Sequence, residues 1–321
     1  MTHASRIDVH QHIVPPFWAE ALPAHGGDPS GTVAPDWSPE TALAFMDSQQ
    51  IATGILSLTA PGVVQWPMAE RRAMARRVNE YTANVVSAHP GRFGNFATLP
   101  LPDVEGALLE LGYALDTLHA DGVILLANVG GKYLGDPEFE PLWAELNRRR
   151  AVVFIHPGQP PLKTIHGVAG PLVDYPFDTT RAAVQLVLNG VVDRYPEVNI
   201  ILAHAGGFLP YASHRFAELA QVFRPELDDP ALLLKGLQSF YFDTALSSGE
   251  AVFPTLKAFA GERILFGSDF PYAPAHVASR FTNKLDVYEG ITAAERSMIN
   301  CGKALELLPR LRQDGGMQGH E

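Results

Sequence analysis

Histidine and aspartate side chains end four apolar segments of strand length in this sequence. The segment ends carry His10 with His12, then His156, His204 and Asp269. Neutral imidazoles and a carboxylate suit zinc, and they also tolerate manganese, iron or cobalt. Because side chains alternate along a strand, His10 and His12 share one face and lie about 6 to 7 Å apart at their backbones, so both can bind one ion. The pattern is typical of a catalytic metal site at the mouth of a parallel barrel.

The same alternation makes a prediction for the rest of the first segment. Asp8 is expected on the face of the two histidines, whereas Ile7 and Val9 are expected on the opposite face, against helices. We interpret Asp8 as a partner that orients a ligand histidine, not as a ligand itself. The alternative for His10 and His12 is a hydrogen-bonded structural pair, which would need buried polar partners.

Apolar runs of strand length alternate with amphipathic stretches of helical length along the chain. This alternation indicates successive β/α units, and eight such units predict a closed (β/α)8 TIM barrel. The predicted strands lie near residues 6–12, 53–59, 93–99, 122–127, 151–156, 199–204, 240–245 and 263–268. The predicted helices lie near residues 39–50, 67–88, 103–119, 138–149, 178–193, 209–223, 250–259 and 275–287, with a C-terminal helix near 292–307.

Two stretches do not fit this alternation, and each follows a strand that ends in a metal-ligand type of side chain. Residues 13–37 form a short insertion after the first strand, and residues 157–177 are rich in proline. Long loops inside compact domains are more often functional than accidental. Active sites of this fold lie at the carboxyl ends of the strands, so we expect both loops to roof the pocket. Residues 1–321 are expected to form a single barrel domain with these loop insertions.

Composition and charge restrict the partners of the chain. The formal net charge of −11 argues against nucleic acid. Cys301 is the only cysteine, which excludes an internal disulfide and a cysteine-rich zinc cluster. The start of the sequence lacks a basic stretch followed by an apolar one, and no apolar run approaches the ~18 residues of a membrane span. We therefore expect a cytoplasmic protein without a nucleic-acid or membrane partner.

Four short motifs occur in a fixed order along the chain. They are Asp8-Val9-His10-Gln11-His12, Ile155-His156-Pro157, Ala203-His204-Ala205-Gly206-Gly207 and Leu265-Phe266-Gly267-Ser268-Asp269-Phe270-Pro271. Each motif alone is weak, but the four in this order are specific. With them, the chain resembles the decarboxylase branch of the amidohydrolase superfamily over nearly its whole length, from Ile7 to Leu308.

The resemblance implies a role for each of these side chains. The ligands of one catalytic divalent ion, usually zinc or manganese, are implied at His10, His12, His156 and Asp269. His204 is implied to lie beside the metal-bound water or substrate, where it gives acid/base or electrostatic support.

The sequence differs from other members of the superfamily at two places, which bear on the number of metal ions and on the substrate. Its binuclear hydrolases place a carboxylated lysine at the end of strand four, but here that strand ends at Asn128, and Lys132 lies in the following loop. We therefore expect one metal ion, with zinc favoured and manganese as the alternative. Family members that act on a muconate semialdehyde carry a substrate arginine in the first insertion, whereas residues 13–37 contain no arginine or lysine. That substrate is disfavoured.

Arg215 follows His204 by eleven residues, inside a predicted helix. The resemblance implies that this arginine reaches a carboxylate in the neighbouring subunit's pocket. A residue well inside an outer helix would struggle to reach its own barrel mouth, so supply from a second subunit makes geometric sense. A homodimer is the expected assembly. The alternatives for Arg215 are a solvated helix arginine and an arginine in an interface salt bridge.

The expected function is metal-dependent, non-oxidative decarboxylation of a small aromatic or unsaturated carboxylic acid. A 2-hydroxybenzoate, such as a 6-methylsalicylate-like substrate, can chelate the ion through its carboxylate and phenolic oxygen. Asp269 is then expected to protonate the ring carbon that bears the carboxylate, with His204 in support. The alternative is a metal-dependent hydrolase, a lactonase or amidase, in which the same groups activate water. A non-enzymatic metal-binding or scaffold protein is the third interpretation.

Overall fold

Eight parallel strands pair in chain order around a barrel in the computed structural model, which describes residues 6–314. With a separate two-stranded hairpin, the described residues form ten strands: β1 (Arg6–His12), β2 (Ile51–Ser57), β3 (Phe93–Thr98), β4 (Gly122–Leu126), β5 (Asn128–Val129), β6 (Lys132–Tyr133), β7 (Val152–His156), β8 (Asn199–Leu202), β9 (Tyr241–Asp243) and β10 (Ile264–Leu265). Of these, β5 and β6 pair with each other as a short antiparallel hairpin after β4. The barrel closes next to β1, where Val9 N donates to Phe266 O (3.0 Å) and Asp269 N donates to His10 O (2.8 Å).

Helices follow the barrel strands and cover the outside of the barrel. They are α1 (Pro16–Ala21), α2 (Pro39–Ser48), α3 (Met68–Ala88), α4 (Val104–Asp116), α5 (Glu140–Arg148), α6 (Gly170–Leu188), α7 (Val191–Arg194), α8 (Leu209–Phe223), α9 (Pro230–Leu237), α10 (Val252–Ala260), α11 (Ala275–Val287), α12 (Ala293–Ser297), α13 (Lys303–Leu307) and α14 (Leu311–Asp314). Among the described residues, no helix is both long and apolar enough to cross a membrane.

Alternate side chains of each strand divide the core into two apolar layers. In β7, Val152 and Phe154 belong to a cluster inside the barrel, whereas Val153 and Ile155 pack outward against the helices. This is the period of two expected of a strand that is covered on both faces. It leaves the next position of β7, His156, on the inner face at the carboxyl end of the barrel.

The C-terminal helices close the amino end of the barrel. Ala304, Leu308 and Leu311 join the cluster inside the barrel. Arg310 pairs with Asp121, which directly precedes β4, at 2.8 Å. The opposite end, where the strands finish, therefore remains the open mouth. The predicted (β/α)8 barrel with a C-terminal helix is confirmed.

The two stretches predicted as loops are partly helical. Residues 13–37 contain α1 and a 3₁₀ turn at Leu22–His25, and α6 begins inside residues 157–177. The helix predicted near residues 178–193 begins earlier, at Gly170, and its prolines explain the difference. Pro171 lies in its first turn, where no N–H donor is needed, and Pro176 removes only a hydrogen bond near the exposed start of the helix.

A β-bulge in β1 corrects the predicted alternation of its side chains. The register of β1 against β2 shifts between Asp8 and Gln11, so one extra residue resets which side chains face inward. Ile7 and Val9 join the cluster inside the barrel. Asp8 lies beside Gln11, whose amide donates to the Asp8 carboxylate (2.9 Å). The prediction that Asp8 shares a face with the ligand histidines, opposite Ile7 and Val9, is therefore wrong.

Candidate metal centre

Four buried side chains converge at the carboxyl end of the barrel. His10 and His12 come from β1, His156 ends β7, and Asp269 follows β10. One ligand atom of each lies within 4.8 Å of the others. Asp269 Oδ1 is 3.2 Å from His10 Nε2 and 3.1 Å from His12 Nε2. The structure thus brings together the four ligands predicted from the sequence, and their binding of an ion stays a prediction.

Asp243, at the end of β9, holds His10 and the turn after β8 at the same time. Its Oδ2 accepts a hydrogen bond from His10 Nδ1 at 2.7 Å, and both side chains are fully buried. Its Oδ1 accepts from the backbone N–H groups of His204 (2.9 Å) and Ala245 (3.0 Å). Asp243 acts as an acceptor in all three bonds. This fixes the His10 proton on Nδ1 and leaves Nε2 available to an ion.

The other two histidines are oriented by backbone carbonyl groups. His12 Nδ1 faces the carbonyl oxygen of Ser57 at 3.2 Å, and His156 Nδ1 faces the carbonyl oxygen of Pro157 at 2.8 Å. A carbonyl can only accept, so each ring carries its proton on Nδ1. The Nε2 lone pairs of the three histidines are therefore the ones left for a ligand.

The electrostatics of the cluster favour a positive charge at its centre. Burial lowers the pKa of His10, but attraction to Asp243 and Asp269 outweighs burial and raises that pKa to about 10. Burial lowers the pKa of His12, and holds the pKa of His156 well below its ordinary value. Burial raises the pKa of Asp269, yet hydrogen bonds from the neighbouring histidines outweigh it and hold the pKa well below the usual range. Imidazoles around an ionised carboxylate fit a divalent cation in place of the proton.

His204 lies in a strained turn beside this cluster. His204 and Ala205 have positive φ angles of 54° and 55°, and Asp269 has a φ of 64°. Gly207 continues the turn, where an added Cβ would lie 2.0 Å from the carbonyl oxygen of Pro176, so only glycine fits. Residues other than glycine rarely adopt such angles, and where they do the strain points to function.

The side chain of His204 faces Asp269. His204 Nε2 lies 3.4 Å from Asp269 Oδ2, whereas His10 and His12 contact the other oxygen, Oδ1. His204 Nδ1 is buried and has no hydrogen-bond partner among the described residues. His204 therefore lies next to the cluster with Nδ1 free of hydrogen bonds to the described part of the protein. This position is compatible with the predicted acid/base or electrostatic role, which stays a prediction.

A cavity of about 520 Å³ opens directly above the cluster, and His156, His204 and Asp269 form part of its wall. Its volume suits a small molecule. Apolar side chains make up much of the remaining wall: Leu172, Phe208, Leu246, Val252, Val277 and Phe281. The polar side chains of the wall are Asp28, Thr32, Thr59, Tyr175, Ser247 and Tyr272. Lysine and arginine are absent from the wall within residues 6–314.

Both predicted roof segments contribute to this cavity. Asp28 and Thr32 come from residues 13–37, and Leu172 and Tyr175 come from residues 157–177. Tyr272 packs edge-on against the ring of His12, with ring centroids 5.5 Å apart. The cavity therefore joins the strand ends to the long loops.

Arg215 lies on the exposed face of α8 and does not line the cavity of its own chain. It makes no ion pair or hydrogen bond within the described part of the chain. Lys132 pairs with Glu138 on the surface, and the Asn128 amide donates to the buried Asp178 carboxylate (2.9 Å). Neither Lys132 nor Asn128 belongs to the ligand cluster.

The barrel and the buried cluster of three histidines and an aspartate at its mouth define a (β/α)8 protein with a candidate metal centre. The family described as Amidohydrolase matches residues 7–310, and the chain belongs to this family. The predicted resemblance is confirmed.

Named relatives extend over nearly the whole chain. The 6-methylsalicylic acid decarboxylase of Penicillium expansum is 42% identical over 316 residues, which cover 96% of this chain and 97% of that protein. The decarboxylase yanB of Aspergillus niger is 40% identical over 330 residues, which cover 98% of this chain and 90% of that protein. A crystal structure described as an amidohydrolase II superimposes with a TM-score of 0.89 at 31% identity, covering 95% of this chain and 100% of that one.

Two candidate functional residues, Asp243 and Asp28, are not predicted from the sequence. Asp243 lies inside the predicted strand at residues 240–245 and ends the observed strand β9, so its position near a strand end is the signal that the sequence offers. Asp28 lies in an irregular loop without periodicity, so no pattern could place it in the cavity. The sequence predicts that Asp8 orients a ligand histidine, but in the structure the ring of His10 donates its hydrogen bond to Asp243. Asp8 instead accepts from the His10 backbone N–H (3.0 Å).

Proposed function

We propose that the protein is a metal-dependent, non-oxidative decarboxylase of a small aromatic carboxylic acid of the 2-hydroxybenzoate type, with 6-methylsalicylate as the reference substrate. The observation that carries the proposal is the cluster of three histidines and Asp269 at the floor of a largely apolar cavity. Such a cavity suits an aromatic ring whose polar groups all lie at one end. The name of the Penicillium expansum relative supports the choice of substrate.

The proposed cofactor is one divalent ion, zinc or alternatively manganese, held by His10, His12, His156 and Asp269. When bound, the ion supplies a Lewis acid that orients the carboxylate and the adjacent phenolic oxygen and reduces their charge. Hydrogen bonds at Nδ1 orient the rings of the three histidines, so these side chains are held in position before the ion binds.

Asp269 is proposed to move the proton that decarboxylation requires. Its Oδ2 accepts the phenolic proton of the substrate and delivers it to the ring carbon that bears the carboxylate. The bond from that carbon to the carboxylate then breaks, carbon dioxide leaves, and the electron pair returns to the ring. The phenolic oxygen takes a proton from water through His204, whose Nε2 lies 3.4 Å from Asp269 Oδ2.

A homodimer that shares Arg215 between subunits is also proposed. Tyr211, Arg215, Leu219 and Val222 follow one another at helical spacing on α8, and all four side chains are exposed. The three apolar members would be unusual on a surface that stays in water. A partner covering this face would place its own Arg215 near a cavity that lacks a lysine or arginine among its described wall residues.

The first test of the proposal joins metal content to product formation. Elemental analysis should find about one divalent ion per chain, and the purified protein should release carbon dioxide from 6-methylsalicylate until a chelator removes the ion. Release that survives complete removal of the ion would contradict the proposal. Ring opening of a lactone or cleavage of an amide, without gas, would instead support the hydrolase alternative, which the named relatives favour less.

The second test addresses the shared arginine. His12→Ala and Arg215→Ala should each abolish most activity. When both variants are expressed together, mixed dimers keep one intact site, so about a quarter of the normal activity should return. Failure to regain activity, in a preparation shown to contain mixed dimers, would contradict the supply of Arg215 by the partner.

A further inference from the structure

Asp28 places a carboxylate without a cation partner in the wall of the cavity. The side chain is partly buried, and within residues 6–314 it forms no ion pair. Its Oδ1 accepts a hydrogen bond from the backbone N–H of Ser30 at 2.8 Å. Burial raises the pKa of Asp28, and the hydrogen bonds from Ser30 oppose that rise. An acidic side chain therefore lies in the wall of a cavity that is proposed to bind an acid.

The position of Asp28 is held by its loop. Gly31 N donates to Asp28 O (2.9 Å), and Gln65 donates to the carbonyl oxygen of the adjacent Gly27 (3.1 Å). The hydroxyl groups of Ser30 and Thr32 are hydrogen-bonded to each other (2.9 Å). The carboxylate is therefore presented to the cavity by an ordered turn, so its charge acts at a defined place.

Two tyrosines lie within electrostatic reach of both Asp28 and the ligand cluster. Burial raises the pKa of Tyr175 and of Tyr272, and the charges of Asp28 and Asp269 act in the same direction on both phenols. Tyr272 also contacts the ring of His12. With the proposed ion bound, the cavity would have a positive centre at the cluster and the acidic side chain of Asp28 in its wall, with two buried phenols near both.

We propose that Asp28 determines specificity by charge, so that the cavity takes acids with a single carboxylate, bound at the cluster, and disfavours a second carboxylate elsewhere on the ring. This inference rests on the proposed function. A second carboxylate would lose hydration in this largely apolar cavity, and the carboxylate of Asp28 would repel it. Methyl and hydroxyl substituents carry no charge, so they avoid both the loss of carboxylate hydration and the repulsion by Asp28.

The test compares two salicylates that differ in charge alone. One carries a carboxylate para to the phenolic oxygen, and the other carries the isosteric carboxamide there. Dissociation constants are measured by calorimetry on the metal-loaded protein and on Asp28→Asn, which keeps the oxygen that accepts from Ser30. Asp36→Asn is the matched control, because Asp36 lies in the same loop, exposed and outside the cavity wall.

The original protein should bind the dicarboxylate at least about tenfold more weakly than the carboxamide. Asp28→Asn should reduce this ratio about tenfold, Asp28→Lys should invert it, and Asp36→Asn should leave it unchanged. A purely structural role of Asp28 would weaken both ligands alike and leave the ratio as it was, which would overturn the proposal. An equal affinity of the original protein for both ligands would do the same.

Binding and turnover separate this inference from the proposed function. Absence of carbon dioxide release from every salicylate, with the binding ratio as expected, would contradict the decarboxylase and keep the charge selection. Release from 6-methylsalicylate with a ratio that is insensitive to Asp28→Asn would contradict the charge selection alone.

Discussion

The ligand cluster and the roof above it are positioned in different ways. His12 and His156 end barrel strands and His10 lies two residues before the end of β1. Each ring is fixed through Nδ1 by a carbonyl group or by Asp243. The roof draws on residues 13–37 and 157–177 and on the starts of α10 and α11, so its shape depends on how separate segments pack. This difference indicates that the barrel strands position the groups that carry the reaction, whereas the loops determine which substrate the cavity binds. Changes in the cluster should therefore affect metal binding and kcat, and changes in the roof should affect KM.

Asp269→Asn should have the largest effect, because it removes the proposed proton carrier and one ligand. An asparagine amide cannot take up the phenolic proton, so kcat should fall by about 10³-fold or more. The measurement is carbon dioxide release at saturating 6-methylsalicylate, with metal content determined in the same samples. Near-normal turnover would show that the proton takes another route.

Asp243→Asn should come next, through the proton position of His10. Both oxygens of Asp243 accept hydrogen bonds, so whichever way the amide turns, its NH₂ group meets a donor. If His10 moves its proton to Nε2, it can no longer bind an ion. The affinity for the metal should fall about 10- to 100-fold, as measured by competition with a chelator. An unchanged affinity would show that Asp243 does not orient His10.

Phe281→Ala should test the roof. The side chain lines the cavity from α11, away from the ligand cluster. Loss of its apolar contact with the substrate ring should raise KM about tenfold, with kcat and metal content little changed. A fall in kcat at constant KM would contradict the division between the two regions.

Asp8→Asn should have the smallest effect and the opposite sign. Burial raises the pKa of Asp8 from 3.8 to about 6. The folded state therefore disfavours the ionised carboxylate of Asp8. The protonated group stabilises the fold below the unfolded pKa, and this stabilisation is lost as the pH rises through the folded pKa of about 6. An asparagine removes that loss and can donate to Gln11 Oε1, a buried atom without a partner among the described residues. At pH ~7.5 the metal-free variant should be more stable by about 1 kcal/mol.

Urea unfolding of the metal-free protein at pH ~5 and ~7.5 checks this last prediction. The gain from Asp8→Asn should be larger at the higher pH. A variant that is less stable than the original at both values would show that the charge of Asp8 is needed. Together with Asp243→Asn, this variant compares two buried carboxylates close to His10, of which only one accepts from its ring.

The sequence predicts those parts of the site that follow from strand periodicity. His156 and Asp269 could be assigned because a parallel barrel brings its strand ends together at one mouth. The bulge between Asp8 and Gln11 could not be foreseen, since nothing in the local residue types marks the extra position. Asp28 depends on how an irregular turn folds over the barrel. Such a turn is set by tertiary contacts, which no pattern of apolar residues encodes.

The closure of the barrel by Ala304, Leu308 and Leu311 has a consequence for biosynthesis. These side chains are translated nearly three hundred residues after Ile7, yet they pack in the same interior cluster. A growing chain on the ribosome can pair its strands but cannot seal the amino end of the barrel until this late segment emerges. Chains interrupted before residue 304 would leave an apolar opening, and we expect chaperones and proteases to act on it.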